Sequence, residues 1–226
     1  MIYVIDDFYP NPDEVREKAL ELKYKSGIST LPNGRVNHPG SRATTNHLTG
    51  WYHANRIYLR NRWQQIVNEK TTAFTRIGSN CAFNLGLEDK ENRFSWIHSD
   101  DGMAPQARAK YTMWACVIYL SPNPPPRTGT LLFENPNGSI YDDQMLGHKD
   151  EMKEKAKYYP PIRENYWDNP VAFDKNWKVH LNVANRYNRM VMYNGHMLHA
   201  PEDAGYGTTK ETGRLTQIGF WFSEQR

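Results

Sequence analysis

The order of patterned segments predicts a mostly β protein with two helices ahead of its strands. Three observations carry that reading. Two stretches with helix-capping or amphipathic character lie before residue 70. Beyond residue 80, short β-prone runs alternate with turn residues, the punctuation of a sandwich or barrel. Tyr (14) and Trp (7) are plentiful while only 38% of residues are hydrophobic, so burial leans on amphipathic aromatics suited to half-buried sheets. Helices followed by strands pack as helices laid on one face of a double sheet.

Taken in order, residues 2–5 (Ile-Tyr-Val-Ile) read as a short strand. Asn11 caps a helix with Pro12 at its first position and Asp13 and Glu14 in its first turn, running to about Lys25. Residues 26–50, rich in Gly, Pro, Asn, Ser and Thr, are expected to be loop. A second helix from about Trp51 to Glu69 carries an apolar stripe of Leu59, Trp63, Ile66 and Val67. Strands are expected near 81–85, 94–100, 111–120, 129–134, 189–193, 196–200 and 214–222. Pro122–Arg127 is too proline-rich to lie inside a sheet. Residues 139–180 form a long mixed insert, helical in character at 149–157 and aromatic after it, of the kind that serves as a lid or binding loop. The chain of 226 residues is expected to be one domain: helical support to about residue 70, a β core from about 80 to 226, and the insert within that core.

Composition excludes several classes. The longest apolar run, Met113–Leu120, is far short of the roughly 20 residues of a spanning helix. The first ten residues carry no basic region ahead of an apolar stretch. Cys81 and Cys116 are the only cysteines, which fits a reducing cytoplasm better than a disulfide framework. Net charge is +3, unevenly spread: Lys25 to Asn80 holds eight basic residues against Glu69 (+7), leaving the rest at −4. A basic, aromatic-rich stretch is one footprint of nucleic-acid binding. No groove-reading motif accompanies it, so a helix with solvated arginines is the preferred reading.

Three clusters could carry chemistry. In Phe94-Ser-Trp-Ile-His98-Ser-Asp100, strand alternation puts His98 and Asp100 on one face, where they could supply two corners of a metal site. By itself the pair is equally a polar strand end before the Asp101-Gly102 turn. In the second cluster, Asn194-Gly195 lies between β-prone runs, the signature of a type I′ hairpin. Such a hairpin would pair Tyr193 with His196 and Met190 with His199, leaving His199 beside Met190, Met192 and Met197. Two histidines three apart on a strand face opposite ways, so only one can join His98. His199 is chosen and His196 is read as a surface or second-layer residue. In the third cluster Arg214, Thr216, Ile218 and Phe220 share one strand face. A buried guanidinium there needs a partner accepting two hydrogen bonds. A dicarboxylate with help from Thr216 would serve, as would a structural Arg–Asp pair or simple exposure.

His98-x-Asp100, a distal His199 and Arg214 on the next strand together resemble the Fe(II)- and 2-oxoglutarate-dependent oxygenases, most of all the prolyl-hydroxylase-like branch and small bacterial and phage members. The opening VIDDFYPNPDEVREKAL, Met113–Ser121 with its Tyr119-Leu120 pair, and Thr128–Phe133 support the likeness, which covers most of the chain except 26–50 and 139–180. The wide spacing from Asp100 to His199 departs from the pattern and is attributed to the insert. The resemblance implies a double-stranded β-helix (jelly-roll or cupin-like) core. Fe(II) would be held by His98, Asp100 and His199, with 2-oxoglutarate as cosubstrate and O2 as oxidant. It implies that Arg214, with Thr216 and Tyr119, receives the far carboxylate of 2-oxoglutarate; Tyr119 is equally an ordinary sheet tyrosine. The activity implied is hydroxylation of a small-molecule, peptide or protein substrate, with succinate and CO2 as coproducts. The rival readings are a cupin-like isomerase or hydrolase holding another metal, and a catalytically silent nucleic-acid-binding module. No membrane association is expected, and the oligomeric state is not legible.

Overall fold

All strand pairs among the described residues are antiparallel, in a sheet of eight strands, one of three and one of two. A computed structural model describes residues 1–28, 36–68, 71–74, 80–88, 95–100, 110–142, 161–162 and 177–224. In chain order these form β1 (Ile2–Ile5), α1 (Pro12–Leu20), β2 (Lys25–Ile28), β3 (Val36–Ala43), α2 (Trp51–Val67), β4 (Thr71–Phe74), β5 (Phe83–Gly86), β6 (Ser95–Trp96) and β7 (Tyr111–Tyr119). There follow β8 (Thr130–Glu134), β9 (Pro161–Ile162), β10 (Lys178–Val183), β11 (Met190–Asn194), β12 (His199–Pro201) and β13 (Arg214–Glu224). The large sheet runs β1-β11-β7-β13-β5-β3-β2, with β4 also on β13; the small one runs β10-β8-β12, and β6 pairs β9.

Alternation along β13 explains the layering. Leu215, Gln217 and Trp221 turn toward the helices, whereas Arg214, Thr216, Ile218 and Phe220 turn toward the small sheet. On the helix side, Leu59 and Trp63 of α2 and Val15 and Ala19 of α1 pack on Phe83, Cys116, Ile118, Met190, Met192 and Trp221. The rings of Trp63 and Trp221 lie 4.0 Å apart and parallel to 2°. This layer also holds a closed polar triangle. Tyr9 Oη donates to Gln217 Oε1 (2.6 Å), Gln217 Nε2 to Asn55 Oδ1 (2.8 Å), and Asn55 Nδ2 to Tyr9 Oη (3.2 Å). Each of the three side chains is hydrogen-bonded to the other two. The inner layer joins Tyr119, Val191 and Tyr193 to Leu132, Val183 and Met197. The small sheet is covered on its other face too, by Ile97, Trp177 and Leu198 around Leu131 and Phe133. This double-sheet core is the jelly roll that the sequence predicts.

Several elements differ from the sequence reading. Helix α1 has the expected Asn11 cap, accepting from Glu14 N, but ends at Leu20, because residues from Lys25 pair with Arg42 in β2 and β3. Residues 26–50, expected to be loop, therefore supply two strands. β3 contains Pro39, which is tolerated because its ladder to β5 covers only Ser41, Arg42 and Ala43. Residues 71–74 form β4 on the edge-proximal end of β13. The Asn194-Gly195 hairpin is absent. A type I′ turn requires positive φ at both residues, and neither has it. Instead β11 pairs β1 and β7, and the chain crosses to the small sheet, where β12 pairs β8. Met190 and Met192 consequently face the helices, away from His199. The insert is narrower than expected at its end, since β10 begins at Lys178; the helical stretch at 149–157 lies outside the described residues. No described helix is long and apolar enough to cross a membrane.

Candidate metal centre

His98 and His199 exchange both backbone hydrogen bonds, each N–H donating to the other's carbonyl at 2.9 Å, so both imidazoles rise from one face of an antiparallel pair. Asp100, two residues past His98, returns to that face and is fixed by its own N–H donating to Gly195 O (2.8 Å). The structure thus brings together His98, Asp100 and His199, with one ligand atom of each within 4.8 Å of the others. His199 Nε2 lies 3.2 Å from Asp100 Oδ2 and His98 Nε2 lies 3.8 Å from Asp100 Oδ1. His199 is buried, whereas the His98 side chain is 44% exposed, so the centre is open on one flank. His196 lies outside the group; its carbonyl accepts from Asp142 N, and Asp142 in turn accepts from Ser99 Oγ at 2.7 Å.

The donor chemistry fits a divalent metal. His199 Nδ1 lies 2.9 Å from the carbonyl of Met197, which can only accept, so Nδ1 carries the proton. In the neutral ring Nε2 then presents a lone pair to a carboxylate oxygen at 3.2 Å. Two acceptors face each other, and the arrangement needs a positive charge between them, either a further proton or a metal ion. Two imidazoles and one carboxylate on one side of an ion form the facial set associated with non-haem Fe(II). The Met197 carbonyl orients the ring as metal-bound histidines require. Burial tends to raise the Asp100 carboxyl; with the further proton on His199, the charge and hydrogen bond of that ring, then His98 and Arg42, lower it from the ordinary 3.8. The Tyr193 ring, 4.6 Å from that of His199, walls the centre, its phenol pushed well up by burial.

Arg214, Thr216 and Tyr119 occupy the same inner face. Arg214 is buried; its Nε donates to Thr128 O (3.1 Å), Nη2 reaches Gly129 O (3.5 Å), and the guanidinium sits 5.7 Å above the Tyr119 ring. Among the described residues no carboxylate forms an ion pair with it, so none of them supplies the structural Arg–Asp alternative. Thr216 pairs with Tyr119 across β13 and β7, and Tyr119 Oη shares a 2.6 Å hydrogen bond with Thr130 Oγ1. Burial raises the Tyr119 phenol while Arg214 lowers it, leaving the hydroxyl protonated. Two inner-face residues escaped the sequence reading. Asn84 could have been found by parity along β5; Arg42 could not, since its strand reads as loop.

The two-sheet core has a fold shared with solved 2-oxoglutarate-dependent enzymes, at low sequence identity. HygX from Streptomyces hygroscopicus, solved with nickel and 2-oxoglutarate, aligns at a TM-score of 0.54 and 12% identity over 98% of this chain and 82% of its own. A Pseudomonas putida prolyl-4-hydroxylase aligns at 0.52 and 15%, over 100% and 93%. The epimerase SnoN, in complex with Fe3+, alpha ketoglutarate and nogalamycin RO, aligns at 0.55 and 12%, over 98% and 78%. The chain itself belongs to the family described as "Family of unknown function (DUF6445)", whose model matches residues 1–221. No curated protein matches it.

Proposed function

We propose that this protein is an Fe(II)- and 2-oxoglutarate-dependent dioxygenase, hydroxylating an unactivated C–H bond of an amino-acid, peptide, protein or other small substrate in the cytoplasm, and acting as one oxygenase domain over residues 1–226. The convergence of His98, Asp100 and His199 to within 4.8 Å on one inner face carries the reading. These three residues would hold the iron and leave its opposite side open. When bound, iron with 2-oxoglutarate and O2 supplies the oxidising equivalents, the cosubstrate leaving as succinate and CO2.

The chain's own residues do the positioning. Arg214 offers a desolvated guanidinium to the far carboxylate of 2-oxoglutarate, and Thr216 and the protonated Tyr119 hydroxyl stand beside it as neutral donors. Thr130 fixes the Tyr119 hydroxyl through their short hydrogen bond. Met197 O keeps His199 in the tautomer that ligates through Nε2. Tyr193, Val191 and Val117 exclude water from the inner side of the centre.

Anaerobic addition of Fe(II) and 2-oxoglutarate to the intact protein should give a visible absorption band that requires both. Admitting O2 should bleach it and release succinate. A cupin-like isomerase or hydrolase would bind metal yet show no 2-oxoglutarate-dependent band, and that result would overturn the proposal.

A further inference from the structure

Arg42 lies in a row of cross-strand partners that runs over the inner face of the large sheet: Arg42 pairs with Asn84, Asn84 with Thr216, and Thr216 with Tyr119. Directly paired residues share a face. Arg42 therefore looks into the space that holds the metal centre, although its sequence neighbourhood reads as a solvated basic stretch. Its Nε donates to Asn84 Oδ1 at 2.7 Å, which locks the plane of the guanidinium. Among the described residues that is its one side-chain hydrogen bond, and none of the ion pairs involves it. No hydrogen bond or ion pair engages the Nη1–Nη2 edge of the fork among the described residues. Burial pushes the guanidinium down to about 10, partly offset by the charge of Asp100, so it remains cationic at neutral pH.

A half-buried cation fixed by a neutral amide, with Asp100 nearby but no ion pair among the described residues, is arranged to receive an anion. Arg214 and Tyr119 already mark one anion site. Tyr119 on β7 and Arg42 on β3 are three strand steps apart, about 14 Å between backbones at the usual spacing, so Arg42 marks a second. We propose that Arg42 is a specificity-determining residue that anchors a carboxylate of the molecule to be oxidised, holding it across the metal centre from 2-oxoglutarate. The inference rests on reading the centre as that of an oxygenase. A carboxylate fits better than a phosphate dianion, because the site offers one guanidinium and lies within the field of the Asp100 carboxylate. With Nε engaged, the Nη1–Nη2 edge still provides the paired, parallel donors that a planar carboxylate accepts.

The test is chemical modification of the whole protein loaded with Ni(II) and 2-oxoglutarate. Phenylglyoxal attacks free guanidinium groups, and mass spectrometry of the peptide containing Arg42 gives its rate of modification at constant ionic strength. Propionate should slow the modification of Arg42 at least threefold, and propionamide, of the same shape but uncharged, should not. 2-Oxoglutarate alone should protect Arg214 and leave Arg42 reactive. Equal rates with and without propionate would overturn the proposal, as would an Arg42 that never reacts, because its fork is then closed. Stronger protection by methylphosphonate would overturn the carboxylate assignment. Protection of Arg42 by 2-oxoglutarate would move the cosubstrate there instead. Failure of the oxygenase reading is seen separately, as absence of 2-oxoglutarate binding to the Ni(II) protein by calorimetry, while protection by propionate is still measured.

Discussion

At the scale of single residues, the two inner arginines are held in different ways. Arg214 is 8% exposed and donates to two backbone carbonyls, which hold the guanidinium in place without neutralising it. Arg42 is held by one side-chain amide near Asp100. His199 has a third kind of constraint, a carbonyl that fixes its proton on Nδ1. These constraints separate the effects of substitution. Arg214→Ala should raise the 2-oxoglutarate requirement by roughly 10- to 100-fold, the scale of a lost charge-assisted contact of about 1.5–3 kcal/mol. Iron affinity should be nearly unchanged. His199→Ala should do the reverse and lose iron first. Equilibrium dialysis against Fe(II) and calorimetry with 2-oxoglutarate under anaerobic conditions read the two affinities independently. Full iron retention in His199→Ala would remove it from the ligand set.

The elements carry the site by using the two faces of one long strand. β13 gives alternate residues to the helix layer and to the inner layer, so its fit against α2 sets the ground on which Arg214 and Thr216 stand. Gly219 is required there, because a Cβ would come within 2.4 Å of Trp63 Cη2. The parallel stack of Trp63 on Trp221 fills the space. Trp63→Ala should reduce stability by about 3–5 kcal/mol in urea unfolding, the usual loss for a large buried aromatic. Ni(II) affinity of the folded fraction should change less than threefold, since the three ligands are on the opposite face. A loss much below 1 kcal/mol would show that α2 is not docked through this stack.

On the scale of the molecule, the first strand is tied to the turn ahead of β11 by charge as well as by pairing. Asp6 accepts from Arg189 Nε at 2.5 Å and from Arg186 Nη1 at 2.8 Å. The hydrogen bond from Arg189 is the main reason its carboxyl lies below 3.8; partial burial opposes this, and the charges of both arginines add to it. A carboxyl lowered in the folded state stabilises the fold fully above its unfolded value and loses that contribution as pH falls through the lower, folded value. The cluster is partly exposed and screened, so Asp6→Asn should destabilise at pH 7 by no more than about 1 kcal/mol. Thermal unfolding of both proteins at pH 7 and near pH 2 checks this. The gap should close in acid, and a gap that persists would mean packing, rather than charge, is what Asp6 supplies.

Much of the site was legible from local pattern. His98 and Asp100 share a face because strand alternation is fixed by backbone geometry, and Arg214, Thr216 and Tyr119 follow the same rule along β13 and β7. Helix starts were legible too, as at Asn11-Pro12, because capping chemistry is local. His199 does lie beside His98 and Asp100, though not through the hairpin that the sequence predicts. Asn194-Gly195 has the composition of a type I′ turn, yet its residues serve a crossing between sheets, since the neighbours of β11 are β1 and β7. Partner choice depends on distant segments, so no window of sequence contains it. The same holds for β2 and β3, whose Gly- and Pro-rich residues become strands only through pairing with each other and with β5. Sequence by itself determined the layer order, the helix starts and the faces on which His98, Asp100, Arg214, Thr216 and Tyr119 lie, because each is written in short-range periodicity. Tertiary structure alone decided which strands are neighbours. It thereby turned Arg42 from one more solvated cation into a half-buried charge on the inner face, where its electrostatic surroundings come from residues far away in the chain.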